Sequence, residues 1–74
     1  MQLTIKLFAT FRSGRFDVER REVAPGTTIG AIVRGLGIRE EDVGILLVAG
    51  RHAAFEDAPA AGQTLSIFPL VGGG

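Results

Sequence analysis

Cysteine, tryptophan and tyrosine are absent from the 74 residues, and histidine and methionine occur once each. The lack of cysteine excludes a disulfide framework and a thiolate zinc site, and leaves the chain without a sulfur nucleophile or persulfide of its own. A single histidine, His52, cannot assemble a metal cluster. Nothing in the sequence offers it a nucleophile or a carboxylate partner, so it reads as a turn or surface residue. An excess of charge is missing too: eight basic residues balance eight acidic ones. No global field therefore draws nucleic acid or anionic lipid to the chain. The arginines at 12, 15, 20, 21, 34, 39 and 51 are scattered without interleaved aromatics, a poor match to a single-strand binding groove. No apolar run approaches membrane-spanning length, and Met1 to Lys6 lacks a basic stretch followed by an apolar segment. The expected partners are proteins, with no nucleic acid and no membrane, and the expected compartment is the cytoplasm.

What is present is a compact apolar body. Hydrophobic residues make up 46% of the chain and charged ones 22%, a balance that requires a packed core. At this length there is room for one small domain and little room for a buried catalytic cleft. Leu3, Ile5 and Leu7 alternate with Gln2, Thr4 and Lys6, which predicts a strand over Gln2 to Phe11 with one buried face. Ser13-Gly14 predicts a reversal and Phe16 to Val23 a returning antiparallel strand. The change of parity between Val18 and Val23 predicts an irregularity near Arg20-Arg21. Pro25-Gly26 ends it.

Thr28 can cap a helix in which Ile29, Ile32, Val33 and Leu36 form one apolar stripe, with Gly37 placed for a left-handed stop. Gly30 and Gly35 weaken this helix, so it needs a sheet to hold it. Ile38 to Val43 reads as a polar connector, and its acidic run as a solvated loop. Gly44 to Ala49 reads as a strand covered on much of both faces, turned at Gly50-Arg51. A short paired strand is expected at Ala53 to Phe55, a loop at Asp57 to Gly62, and a last strand over Thr64 to Leu70 with Leu65 and Ile67 inward. The order predicts an α+β fold: a mixed sheet with one main helix on one face, in the β-grasp (ubiquitin-like) arrangement if the last strand lies beside the first. Residues 1–70 form the domain and 71–74 a C-terminal glycine tail.

That tail, Val71-Gly72-Gly73-Gly74, is the strongest candidate for the working part. Without Cβ atoms it can lie in a slot too narrow for side chains, and four residues extended reach about 14 Å. A frayed end is the competing reading. The tail is not a phosphate-binding loop, since no Lys-Ser/Thr and no helix follow it.

Lys6-Leu7-Phe8-Ala9-Thr10-Phe11-Arg12, the Pro25-Gly26-Thr27-Thr28-Ile29 helix entry, Gly50-Arg51-His52 and Phe68-Pro69 ahead of the glycines together resemble the ubiquitin-like sulfur carriers. The opening stretch and the Phe-Pro look closer to the small subunit of molybdopterin synthase than to the thiamine-pathway carrier. Leu70, where the molybdopterin-type tail usually has a second proline, and Ala49, where asparagine is commoner, depart from that pattern, as do Ala60 and Gln63.

The resemblance implies that an E1-like adenylating enzyme uses ATP to convert Gly74 to an acyl-adenylate. A sulfur donor protein then leaves a thiocarboxylate there. The recipient would be a large catalytic subunit of molybdopterin synthase type, or a thiazole synthase. The chain itself would bind no cofactor and would not be a stand-alone enzyme. Carriers for thiamine thiazole or tRNA thiolation, a ubiquitin-like modifier conjugated through Gly74, and a β-grasp binding module with an inert tail are the alternatives. Capture of a tail gains register from a surface beside it. If the first and last strands are neighbours, Phe8 and Phe68 meet on the helix-free face, although parity alone leaves the face of Phe68 open. With Pro69, Gly72 and Gly73 they are the candidate partner-binding residues.

Overall fold

The computed structural model describes residues 1–71. Gly72, Gly73 and Gly74, on which the tail expectation rests, lie outside the described residues. Five strands, β1 (Gln2–Leu7), β2 (Val18–Glu22), β3 (Val43–Val48), β4 (Arg51–His52) and β5 (Thr64–Pro69), form one mixed sheet in the order β2-β1-β5-β3-β4. β1 and β5 run parallel at its centre, and the other pairs are antiparallel. One α-helix, α1 (Ile29–Gly35), covers one face, which gives the expected ubiquitin-like β-grasp.

The core follows from the two periodicities. Leu3, Ile5 and Leu7 of β1 and Leu65 and Ile67 of β5 are almost wholly buried, and they close on Ile29, Ile32 and Val33 from the helix stripe. Thr28 caps the helix by accepting from the Ala31 amide at 3.2 Å. The next two orphan donors are met by the segment after β4: the Ile29 amide donates to the Asp57 carbonyl and that of Gly30 to the Phe55 carbonyl. At the other end Gly37 takes φ +76°, and the amides of Gly37 and Ile38 donate back to Arg34 and Val33. This is a Schellman stop that swings Ile38 into the core. Ile38 is therefore part of the packed interior rather than of a polar connector, and the acidic run after it forms a short exposed 3₁₀ turn at Glu40–Asp42.

Four sequence expectations are corrected. The first strand stops at Leu7 and not Phe11, because Ala9 adopts φ +52° and opens a 3₁₀ turn over Ala9–Arg12 that drives Phe11 into the core. The returning strand is shorter than expected and pairs with β1 without interruption from Gln2↔Glu22 to Lys6↔Val18, so Arg20-Arg21 holds no bulge. The register shift lies instead in β3, between Val43 and Ile45 against β5. The short strand is Arg51–His52 and not Ala53 to Phe55; the latter is held by capping the helix.

The hairpin joining β3 to β4 turns at Ala49 (φ +51°) and Gly50 (φ +79°). Two positive φ values in a row match the type I′ pattern, which favours Asn-Gly and strains alanine. Ala49→Asn is expected to stabilise the body by about 1 kcal/mol. Thermal melting would then shift upward by about 4–8 °C, the scale set by a domain of this size. An unchanged midpoint would show that the turn carries no such strain.

Candidate functional site: the helix-free sheet face and the root of the tail

Alternation along the strands places a second set of side chains on the face away from the helix. In β1 these are Thr4 and Lys6, and the chain stays extended at Phe8 (φ −127°, ψ 151°), so Phe8 continues the outward series. Leu7 and Ile67 are register partners in the parallel β1–β5 ladder, which sets the next residues, Phe8 and Phe68, side by side. Their rings stack at a centroid distance of 4.0 Å and an interplanar angle of 12°. Such a pair contributes about 0.5–1.5 kcal/mol beyond its area. The sequence left the face of Phe68 open; the register fixes it outward.

Arg12, from the 3₁₀ turn, stands over the Phe8 ring. Its guanidinium carbon stands 5.5 Å from the centroid of Phe8, its Nε donates to the Leu7 carbonyl at 2.9 Å, and Asp17 lies 3.6 Å away. The Phe8–Phe68 stack is thus oriented from one side by a cation held by backbone. On the other side Ile45 of β3 is the register partner of Phe68 and is 44% exposed. Leu70 and Val71, where the chain leaves the sheet, are 63% and 84% exposed. An aromatic and aliphatic strip therefore crosses β1, β5 and β3 and ends at the root of the tail, an exposed apolar surface that scattered single residues do not make.

The direction of departure is fixed by the backbone of residues 42–44. The Leu70 amide donates to the Asp42 carbonyl at 2.9 Å, which extends the β5–β3 pairing one residue past Pro69. Gly44 is the extra residue of the bulge, and a Cβ there would come within 2.8 Å of the Pro69 carbonyl oxygen and 3.1 Å of the Leu70 Cα. The position is glycine because the tail root passes directly over it. Sequence reasoning took Gly44 as a strand boundary and missed this; a lone glycine opening an otherwise aliphatic strand was the available signal. Gly44→Ala is expected to cost about 1–3 kcal/mol by forcing backbone apart. It should also shift the amide resonances of Pro69's neighbours Phe68 and Leu70 more than those of the helix; shifts spread evenly over the body would contradict a local clash.

Pro69 pairs with Val43 at the end of β5, beside this root. His52 is exposed on β4 opposite Leu47, with no role in the stack. Away from this face, a hydrogen bond from Arg39 (3.1 Å) and its charge hold the Glu41 carboxyl below its ordinary range, and Glu41 in turn raises Arg39. Both side chains are exposed. No group of three or more metal-ligating side chains occurs among the described residues, and no helix there is long and apolar enough to cross a membrane. A separate open cavity of about 330 Å³ lies between β3 and the segment after β4, with His52 and Glu56 among its lining residues. The helix-free face presents an apolar strip beside the point where the chain leaves the sheet.

Known proteins agree with this geometry. Among curated proteins no match is found. SAMP1 of Haloferax volcanii is 26% identical, with 100% of both chains covered and a TM-score of 0.74. A candidate molybdopterin converting factor subunit 1 from Pyrococcus furiosus is 24% identical over 96% of this chain and 99% of its own, with a TM-score of 0.76. At 12% identity, with both chains fully covered and a TM-score of 0.66, the fold is also that of a chain in the complex of subunits 1 and 2 of molybdopterin-converting factor from Helicobacter pylori. The likeness to SAMP1 is to a small archaeal modifier protein, and the likenesses to molybdopterin-converting factor chains show the shared fold. The family model described as Mut7-C ubiquitin matches residues 5–72, and the chain belongs to that family.

Proposed function

We propose that the chain is a sulfur carrier whose Gly74 carboxylate is adenylated by an E1-like partner, converted to a thiocarboxylate with sulfur from a donor protein, and offered to a large catalytic subunit. The observation that supports this most is the Phe8–Phe68 stack: it sits on the helix-free face, continuous with exposed Ile45, Leu70 and Val71 at the point where the tail departs. A carboxylate is a poor acyl donor, so ATP must activate it, and in this reading the partner brings the nucleotide site. The chain also has no cysteine, so sulfur must arrive from outside.

In this reading Phe8, Phe68 and Pro69 dock the body, while Gly72 and Gly73 let the tail thread a narrow channel. Molybdopterin synthesis is the pathway we favour, from the Phe-Pro before the tail and the fold shared with molybdopterin-converting factor subunits. The cytoplasm is the setting. Conjugation of Gly74 to lysines of other proteins is the second reading, favoured by the full-length similarity to a small archaeal modifier. Both readings require activation at Gly74. In an ATP-supplemented extract of its own cell, hydroxylamine should trap the activated end as a Gly74 hydroxamate. Absence of that product with ATP present would remove both.

A further inference from the structure

The two arginines of the segment joining β1 to β2 reach in different directions. Arg12 stands over Phe8 on the helix-free face, whereas Arg15 turns to the end of the helix. The Arg15 guanidinium donates from Nε to the Leu36 carbonyl at 3.0 Å, from Nη2 to the Gly37 carbonyl at 3.2 Å and from Nη1 to the Phe11 carbonyl at 3.2 Å. Its planar fork thus ties the segment to a helix end 21 residues further along the chain, a span that the point charge of a lysine does not bridge. A cation beside the last carbonyls also suits the negative end of the helix. Among the described residues no other hydrogen bond joins this segment to the helix or its stop.

The Phe11 carbonyl belongs to the 3₁₀ turn over Ala9–Arg12, which the chain enters through Ala9 at φ +52°. An alanine stays left-handed only where its surroundings over-determine it. Two holds act on this turn: the Phe11 side chain in the core and Arg15 on the Phe11 carbonyl. Phe8 immediately precedes Ala9, and Arg12 closes the same turn. Where the turn sits therefore sets where the Phe8 ring and the cation over it sit.

We propose that Arg15 is a positioning residue for the Phe8–Phe68 stack: by clasping the segment to the helix end it holds the 3₁₀ turn, and through the turn it fixes Phe8 against Phe68 and Arg12 over Phe8. Its bearing on function rests on docking through Phe8 and Phe68. The helix and the stack lie on opposite sides of the sheet, and the clasp joins them into one unit. Without it Ala9 relaxes out of the left-handed region and the turn shifts. A partner must then order Phe8 and Arg12 as it binds, which weakens affinity about tenfold.

NMR of the full chain reads the stack without any partner. Rings 4.0 Å apart shift each other's protons upfield and give cross-ring NOEs. Arg15→Met keeps the aliphatic stem and removes the fork. It should weaken those NOEs and return the Phe8 and Phe68 ring protons toward the positions of an exposed phenylalanine, with the methyl resonances of Leu3, Ile29 and Val33 unmoved. Arg15→Lys keeps the charge and should leave the stack open. Glycine adopts positive φ without strain, so Ala9→Gly added to Arg15→Met should restore the stack. A role confined to general stability would instead loosen core and stack together, beyond repair by Ala9→Gly. Ring signals unchanged by Arg15→Met, a native stack in Arg15→Lys, core methyls that move as far as the rings, or a double variant whose stack stays open would each overturn the proposal. Calorimetry with the E1-like partner of its own cell should show affinity falling about tenfold in Arg15→Met and recovering in the double variant. A stack that opens and closes as expected while affinity stays constant would support the clasp and overturn docking through the stack.

Discussion

Deleting Gly74 is expected to abolish sulfur loading, lowering the thiocarboxylate yield by more than a hundredfold, while the body melts within about 1 °C of the full chain. The two halves of this result have separate physical causes. Shortening the tail by one residue withdraws the carboxylate by about 3.5 Å, and an acyl transfer tolerates roughly 1 Å of misplacement before losing about a hundredfold. Folding is indifferent because every core residue lies between Leu3 and Ile67, and the described hydrogen bonds of the chain end stop at Leu70. Changes away from the core are usually worth less than about 0.5 kcal/mol. Differential scanning calorimetry and intact mass read the two halves on one sample. A Gly74-deleted chain that still acquires sulfur would refute the assignment of the reacting atom.

The second large effect is expected at the grip. Phe68→Asp puts a carboxylate at the centre of the apolar strip, between Phe8 and Ile45, where a docked partner would exclude water. Burying an unpaired charge in an interface centre costs several kcal/mol, and truncated aromatic anchors cost 2 kcal/mol or more. Each 1.4 kcal/mol is a factor of ten, so affinity for the activating partner should fall by about a hundredfold or more. The same change removes the stack, worth about 0.5–1.5 kcal/mol of stability. Ile45→Asp, at an edge of the strip that is 44% exposed, supplies a control that leaves the stack in place and should weaken binding in the same direction. Binding by calorimetry that is unmoved by both variants would mean that the tail alone carries recognition.

Much of this arrangement is legible in the residues. The outward and inward series of β1, the stripe of Ile29, Ile32 and Val33, the Thr28 cap and the Gly37 stop all follow from local patterns that the tertiary structure does not contradict. The pieces that were not legible depend on contacts distant in sequence. Ala9 takes a left-handed conformation that alanine does not announce, and it does so because Phe11 gains a place in the core. Gly44 owes its identity to a carbonyl twenty-five residues later, so its role as the floor of the tail root is invisible until β3 and β5 are laid together. Phe55 and Asp57 looked like strand and loop; their carbonyls accept from the Gly30 and Ile29 amides, a long-range pairing that local sequence does not show. The candidate site shows the same division. Phe8 and Phe68 can be named from alternation and neighbouring strands, whereas Arg12 over the ring, and Ile45 beside it, require the register.

The absence of cysteine that opens the sequence also makes the central claim directly measurable. A thiocarboxylate would be the chain's one thiol-like nucleophile, since no side chain competes for a thiol-reactive alkylating agent. The chain should be purified from its own cell under non-reducing conditions and its intact mass recorded before and after treatment with iodoacetamide. The carrier account predicts a species in which one oxygen is replaced by sulfur, alkylated once, with the added group on the C-terminal tryptic peptide that ends at Gly74. A chain recovered at its unmodified mass, never alkylated even when its activating partner and a sulfur donor are supplied with ATP, would contradict it.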